Sequence, residues 1–143
     1  MGEVMIDLFE QLHKEATRGN CTFRKYSAAV VNNNRIIGIG HARTVDGKKC
    51  ESCERLRKIK KYGKISEFFE DCNVIHAEIC AILDCKDKEQ LVGAELYLLG
   101  IDSAGYIYID AFPCANCYKV IEYVGIATIN VYTDKSNLKR YEV

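Results

Sequence analysis

The stretch His76-Ala77-Glu78-Ile79-Cys80-Ala81-Ile82-Leu83 places an imidazole and a carboxylate two residues apart at the start of an apolar run. The apolar residues recur at helical spacing, so we expect a helix with His76 and Glu78 in its first turn. A lone histidine on such a face is more often a core residue than a ligand. A second stretch, Pro113-Cys114-Ala115-Asn116-Cys117, reverses that judgement because it adds two thiols three residues apart.

The second stretch also predicts the start of a helix. Pro113 fits a first helical position, and Cys114 and Cys117 share a stripe with the apolar residues that follow. A helix N-terminus lowers the pKa of thiols, which favours the thiolates that zinc requires. One histidine and two cysteines form a three-ligand zinc set with a fourth position open to water, as in catalytic sites. Glu78 is then predicted to carry protons beside that water.

A structural zinc site is the alternative interpretation of the same thiols. Cys114 and Cys117 could join Cys50 and Cys53 in a four-thiolate site. That arrangement would leave His76 and Glu78 without a role, so we favour the catalytic set of His76, Cys114 and Cys117.

Bulk composition narrows the class of protein. The 143 residues predict a single domain spanning residues 1–143. Lysine and arginine number 20, as do aspartate and glutamate, and this neutral balance favours a small substrate over a nucleic acid. We find no signal peptide and no apolar run of membrane-spanning length, and we predict a cytoplasmic location. Eight cysteines could suggest a disulfide framework, but in a reducing compartment the CxxC pairs and a nearby histidine are better explained as metal ligands.

The remaining patterns alternate between helices and strands. Residues 4–12 predict an amphipathic helix that ends near Gly19, and residues 26–31 and 35–40 predict a β-hairpin around Asn32-Asn33-Asn34. Gly38 and Gly40 lie near the end of the second strand. They indicate either a place where the backbone closely approaches a ligand or a β-bulge. Further extended segments are predicted at 95–99, 106–109 and 127–132, with a short helix or loop at 133–143. Such alternation predicts an α/β sandwich.

These motifs together resemble the cytidine deaminase superfamily, and within it the deoxycytidylate (dCMP) deaminase-like branch. The resemblance covers about residues 21–132. It is carried by the two zinc motifs and by three further features: Cys21-Thr22-Phe23-Arg24, Ile37-Gly38-Ile39-Gly40 and a cysteine-containing insert.

The resemblance implies a three-layer α/β/α sandwich with a mixed five-stranded sheet, and a homo-oligomer. It implies that His76, Cys114 and Cys117 bind Zn²⁺, that Glu78 shuttles protons and that the Ala77 backbone N–H helps to hold the pyrimidine. The expected reaction is hydrolysis of a cytosine-containing nucleotide, dCMP to dUMP and ammonia, with zinc-bound hydroxide as the nucleophile. The expected partner is therefore a small-molecule nucleotide substrate. Neither a membrane nor a nucleic acid is expected as a partner.

Three departures from the branch concern the substrate. The chain has Gly40-His41-Ala42-Arg43-Thr44-Val45 where the branch has a turn with a substrate-contacting asparagine, so Ala42 replaces that residue and Arg43 could meet a phosphate. The segment 99–112 is longer than the usual single strand. Phe112 could stack on a base or simply pack.

Other features leave alternatives open. The basic run from Lys48 to Lys64 is either a solvated helix face or a phosphate-binding lip. Cys21, Cys50, Cys53 and Cys72 are spaced to attempt a second, structural zinc site. Alternative functions are the same chemistry on a free nucleobase, a nucleoside or a tRNA adenosine, and a catalytically silent zinc-stabilised binding domain.

Overall fold

The computed structural model describes residues 2–21, 24–48, 54–63, 74–108 and 110–143. Its elements, in chain order, are α1 (Gly2–Ala16), β1 (Lys25–Asn32), β2 (Arg35–His41), β3 (Arg43–Thr44), α2 (Glu54–Tyr62), β4 (Val74–Ile75), α3 (Ala77–Asp84), a 3-10 turn (Lys88–Leu91), β5 (Glu95–Ile101), α4 (Ala115–Tyr123), β6 (Thr128–Tyr132) and β7 (Leu138–Glu142). None of the helices in this part of the chain has the length and apolar character needed to cross a membrane.

Five strands form one mixed sheet in the order β2-β1-β5-β6-β7. The β5–β6 pair is parallel, and the other neighbouring pairs are antiparallel. Helix α1 packs on one face, where Leu12 meets Leu99 and Tyr132 in a buried cluster. Helices α3 and α4 cover the other face around Leu96 and Ile129. The predicted sandwich with a mixed five-stranded sheet is therefore confirmed.

The β1–β2 hairpin forms where the asparagine run predicts it. Asn33 and Asn34 both have positive φ angles, of 52° and 61°. Two consecutive left-handed residues are the requirement of a type I′ turn, which asparagine meets at low cost. The same hairpin contains a bulge, because Val30 pairs with Gly38 and Val31 pairs with Ile36, leaving the intervening Ile37 without a partner position.

Two segments differ from the sequence-based expectation. Within residues 133–143 the loop is confined to 133–137, and the expectation is wrong for 138–142: these residues form β7, which pairs with β6 and completes the sheet at its edge. The pattern hides this strand because three of its five residues are charged, which is common where an edge strand faces water. The predicted strand at 106–109 is reduced, among its described residues, to a single bridge between Ile107 and Ile101.

Gly38 and Gly40 allow α3 to pack directly on β2. A Cβ atom at Gly40 would lie 2.6 Å from the Cβ of Cys80 and 2.7 Å from the nitrogen of Ala81. A Cβ at Gly38 would overlap the carbonyl oxygen of Ala81. The backbone that approaches these glycines is therefore that of α3, and the bulge lies beside them.

We predict that Gly38→Ala lowers the free energy of unfolding by about 2 kcal/mol, because the added methyl group meets rigid helix backbone. Denaturant unfolding of the metal-loaded protein measures this change. The matched control is Arg35→Ala on the same strand, where the side chain is exposed and the effect should stay within about 0.5 kcal/mol. Equal stability of Gly38→Ala and the parent protein would contradict the packing argument.

Candidate metal centre

Three predicted ligands come together at the N-termini of α3 and α4. His76 follows the short strand β4 and is the N-cap residue of α3. Cys114 is the N-cap residue of α4, and Cys117 lies in the first turn of that helix. The Nδ1 atom of His76 is 3.5 Å from the Sγ atom of Cys114 and 3.2 Å from that of Cys117. The three donor atoms all lie within 4.8 Å of one another.

The spacing of these donor atoms fits a tetrahedral metal ion. Zinc binds sulfur at about 2.3 Å and nitrogen at about 2.0–2.1 Å, which places tetrahedral N and S ligands about 3.5 Å apart. The two observed N–S separations, 3.2 and 3.5 Å, are close to that value. Cys117 is buried, whereas His76 and Cys114 are half-buried. The set therefore offers three ligands and keeps one side toward solvent.

Helix capping fixes the position of both thiols. The backbone of Cys114 is extended, and its Sγ atom accepts a hydrogen bond from the N–H of Cys117 at 3.5 Å. The helix itself begins at Ala115. Pro113 thus precedes the cap rather than occupying the first helical position, and it directs the chain into the cap instead.

Glu78 lies beside Cys117 in the interior. Its side chain is only 5% exposed, and burial raises the pKa of its carboxyl group. Burial, followed by the negative charge of Glu78, also raises the pKa of the Cys117 thiol, the opposite of the lowering expected from the helix N-terminus. A divalent cation would offset this cost, because a metal-coordinated thiol is deprotonated outright.

The residues after β2 are connected to the donor set through the short β3–β4 ladder. Ala42 is buried, and its N–H donates to the carbonyl oxygen of Tyr26 at 2.9 Å. Arg43 pairs across the β3–β4 ladder with Ile75, the residue that precedes His76. Ala77 is fully buried in the first turn of α3, where N–H groups have no acceptor within the helix.

Sequence reasoning missed an aromatic cluster at the same edge of the sheet. The guanidinium of Arg24 lies 4.1 Å from the centroid of the Tyr108 ring and donates to the hydroxyl of Tyr26 at 2.9 Å. The alternation in Tyr106-Ile107-Tyr108 predicted an extended segment, but it did not predict the contact between Tyr108 and Arg24. Phe112 stacks on Tyr118 and meets the edge of Tyr141, so the structure shows it packing.

Two further predictions concern residues that lie partly outside the described part of the chain. Cys50, Cys53 and Cys72 lie outside them, so both the second zinc site, which would include Cys21, and the four-thiolate alternative stay predictions. Part of the basic run forms α2, where Arg57, Lys60 and Lys61 are exposed as on a solvated helix face.

A His/Cys/Cys set at two helix N-termini, with a buried glutamate beside it and a mixed sheet beneath, is typical of metal-dependent deaminases. The sequence profile described as "Cytidine and deoxycytidylate deaminase zinc-binding region" matches residues 3–133. The chain belongs to the cytidine and deoxycytidylate deaminase family, and it is therefore a hydrolase that acts on C–N bonds.

Individual relatives agree with this family. The deoxycytidylate deaminase of Mycobacterium phage D29 is 31% identical over 124 residues, covering 85% of this chain and 87% of the relative. That of Schizosaccharomyces pombe is 28% identical over 121 residues, covering 82% of this chain but 33% of the relative. The apo crystal structure of dCMP deaminase from the cyanophage S-TIM5 has a TM-score of 0.61 at 22% identity, covering 94% of this chain and 88% of that one.

We predict that Cys117→Ser lowers the zinc content by one ion per chain, because it replaces a soft thiolate ligand with a hydroxyl. Elemental analysis after exhaustive dialysis measures the change. Cys85→Ser is the matched control, since the buried Cys85 thiol donates to the carbonyl oxygen of Asp87 and lies outside the donor set. Unchanged zinc in Cys117→Ser would remove this residue from the site.

Proposed function

We propose that the chain is a zinc-dependent deoxycytidylate deaminase that hydrolyses dCMP to dUMP and ammonia. The observation that carries this proposal is the convergence of His76, Cys114 and Cys117 beside the buried Glu78. The names of the phage and yeast relatives support the choice of dCMP. A crystal structure of the S-TIM5 enzyme in complex with dCMP and dUMP, which shares this fold, is a further support.

In this proposal the zinc ligands are Nδ1 of His76 and the Sγ atoms of Cys114 and Cys117. Zinc held there supplies an electrophile that lowers the pKa of water from about 15.7 toward about 7. The donor set itself, two thiolates and one neutral imidazole, compensates the charge of the divalent ion.

Glu78 is the proposed proton carrier. Its carboxylate takes a proton from the attacking water and delivers it to the ring nitrogen N3 of the cytosine. Once the C4–O bond has formed, the same carboxylate takes the second proton from the new C4 hydroxyl and gives it to the amine, so that the C4–N bond breaks, the C4=O bond forms and ammonia leaves. A carboxyl group whose pKa is raised by burial suits this role, since it must both accept and return a proton.

The pyrimidine is proposed to be held by the backbone N–H of Ala77, and the phosphate by Arg43. Arg43 is exposed and is placed by the β3–β4 ladder next to the residue that precedes His76. Because Ala42 has no polar side chain, we assign the contact with the nucleotide at this position to the neighbouring Arg43. An arginine is suited to this contact because its planar guanidinium binds phosphate oxygens in a bidentate manner.

The experiment that tests the function is ammonia release by the zinc-loaded protein. The panel contains dCMP, CMP, deoxycytidine, cytosine, guanine and a tRNA. We expect dCMP to be preferred, and we expect Glu78→Gln to retain zinc and fold while losing at least about 10²-fold in kcat.

Glu122→Gln on the exposed face of α4 is the matched control and should behave like the parent protein. Turnover limited to a free base, a nucleoside or the tRNA would replace dCMP with that substrate. A fully active Glu78→Gln protein would refute the assigned proton carrier. If the zinc-bound protein released ammonia from none of these compounds, the result would favour a binding domain that does not catalyse.

A second prediction concerns the phosphate. Arg43→Gln should raise the KM for dCMP by about tenfold or more, because a charge-assisted contact is lost, and should leave kcat/KM for deoxycytidine within about twofold. Arg35→Gln, at the other end of the adjoining strand β2, is the control. An equal loss with both substrates, or no loss with either, would show that Arg43 does not bind the phosphate.

A further inference from the structure

Glu15 and His41 form a hydrogen-bonded pair on the face of the sheet opposite the donor set. The Oε2 atom of Glu15 is 2.5 Å from the Nδ1 atom of His41. Both side chains are largely buried, with 13% of the Glu15 surface and 11% of the His41 surface exposed. Two lone pairs cannot meet at this distance, so a hydrogen lies between the two atoms, and in the tautomer that carries it on Nδ1 the histidine donates to the carboxylate. The largely exposed Arg18 contacts the other carboxylate oxygen at 3.2 Å.

This pair joins the last turn of α1 to the last residue of β2. Gly40 faces α3 and the following His41 faces α1, because side chains alternate along a strand. The end of β2 is therefore held between two helices. On one side it is held by the contact with Glu15, and on the other by direct backbone packing.

A first structural link connects His41 to the metal ligand His76. Ala42 and then β3 follow His41 directly, and β3 pairs with β4, with Arg43 opposite Ile75 and Thr44 opposite Val74. The chain passes from β4 straight into His76. The position of His41 thus constrains the strand that leads into the ligand.

A second link runs through Gly40. This residue lies against Cys80 and Ala81, in the part of α3 that follows the first turn. The N–H of Cys80 in turn donates to the carbonyl oxygen of His76 at 3.1 Å. A displacement of the end of β2 would therefore reach the same ligand by a second route.

We propose that the Glu15–His41 pair is a positioning device for the metal centre, which fixes the end of β2 and thereby the orientation of His76. The pair lies outside the donor set, so its effect is exerted through β2, the β3–β4 ladder and α3. Partners that hydrogen-bond directly to a metal ligand are commonly worth about 10- to 100-fold in metal affinity or activity, and a pair that acts through the backbone is expected at the lower end of that range. This inference rests on the proposed function only in taking His76 as a zinc ligand.

The test compares zinc affinity and kcat in three variants. His41→Leu removes the donor, Glu15→Gln removes the charge of the acceptor, and His41→Asn keeps an N–H donor near the position of Nδ1. We expect His41→Leu to weaken zinc binding and to lower kcat, each by about tenfold or more. Glu15→Gln should show a smaller loss, and His41→Asn should recover most of the activity and affinity.

Zinc affinity is measured by competition with a chromogenic chelator, which requires no substrate. A failure of the proposed dCMP activity would therefore leave this readout intact. His13→Leu, the same substitution at a histidine of α1 whose ring contacts Phe9, is the matched control and should leave both quantities unchanged.

A purely structural role would lower the melting temperature without moving the zinc affinity of the folded protein. All measurements are therefore made well below the melting temperature of each variant. Parental zinc affinity and kcat in a folded His41→Leu or Glu15→Gln protein would overturn the proposal. So would a His41→Asn protein that is as impaired as His41→Leu while remaining folded.

Discussion

The direct contact between α3 and the hairpin strand β2 is the constraint on which the rest of the site depends. It requires residues without side chains at two strand positions, and Gly38 and Gly40 provide them. Because α3 begins with the candidate ligand His76 and its next turn lies on Gly40, the depth at which this helix sits decides where the imidazole lies. A side chain at either glycine would lift the helix, and with it the ligand, away from the thiols of α4.

The burial of Glu78 and Cys117 creates an electrostatic cost that a bound metal ion would offset. The two residues are both buried and adjacent, and desolvation raises the pKa of each acidic group. An interior without a cation favours their protonated forms, in which neither the carboxylate nor the thiolate is available for chemistry. A cation bound to the thiols would reverse that preference, so metal binding and folding of this region would be coupled. The free energy of metal binding would then contribute to the stability of the helix N-termini.

Local signals predicted the elements that local forces determine. The asparagine run predicted the β-hairpin, whose turn residues Asn33 and Asn34 have positive φ, because tolerance of positive φ is a property of single residues. The strand β7 was missed, since its charged side chains are dictated by water at a sheet edge rather than by a core. The contact between Glu15 and His41 joins residues 26 positions apart, and no periodicity in the sequence encodes it. The Arg24–Tyr108 contact, between the residue before β1 and the segment after β5, was missed for the same reason.

Chemistry and specificity are supplied by different parts of the fold. The donor atoms and Glu78 are carried by helix N-termini that pack on the sheet, where a displacement is resisted by many buried contacts. Arg43, which is proposed to bind the phosphate, and Ala42 before it form a short segment that the two paired positions of the β3–β4 ladder connect to the strand leading into His76. Side chains of this segment can be exchanged without replacing any residue of the donor set. The loss of the expected asparagine at Ala42 is therefore compatible with the His/Cys/Cys donor set, and a change of substrate preference at this segment would not require a change in the zinc motifs.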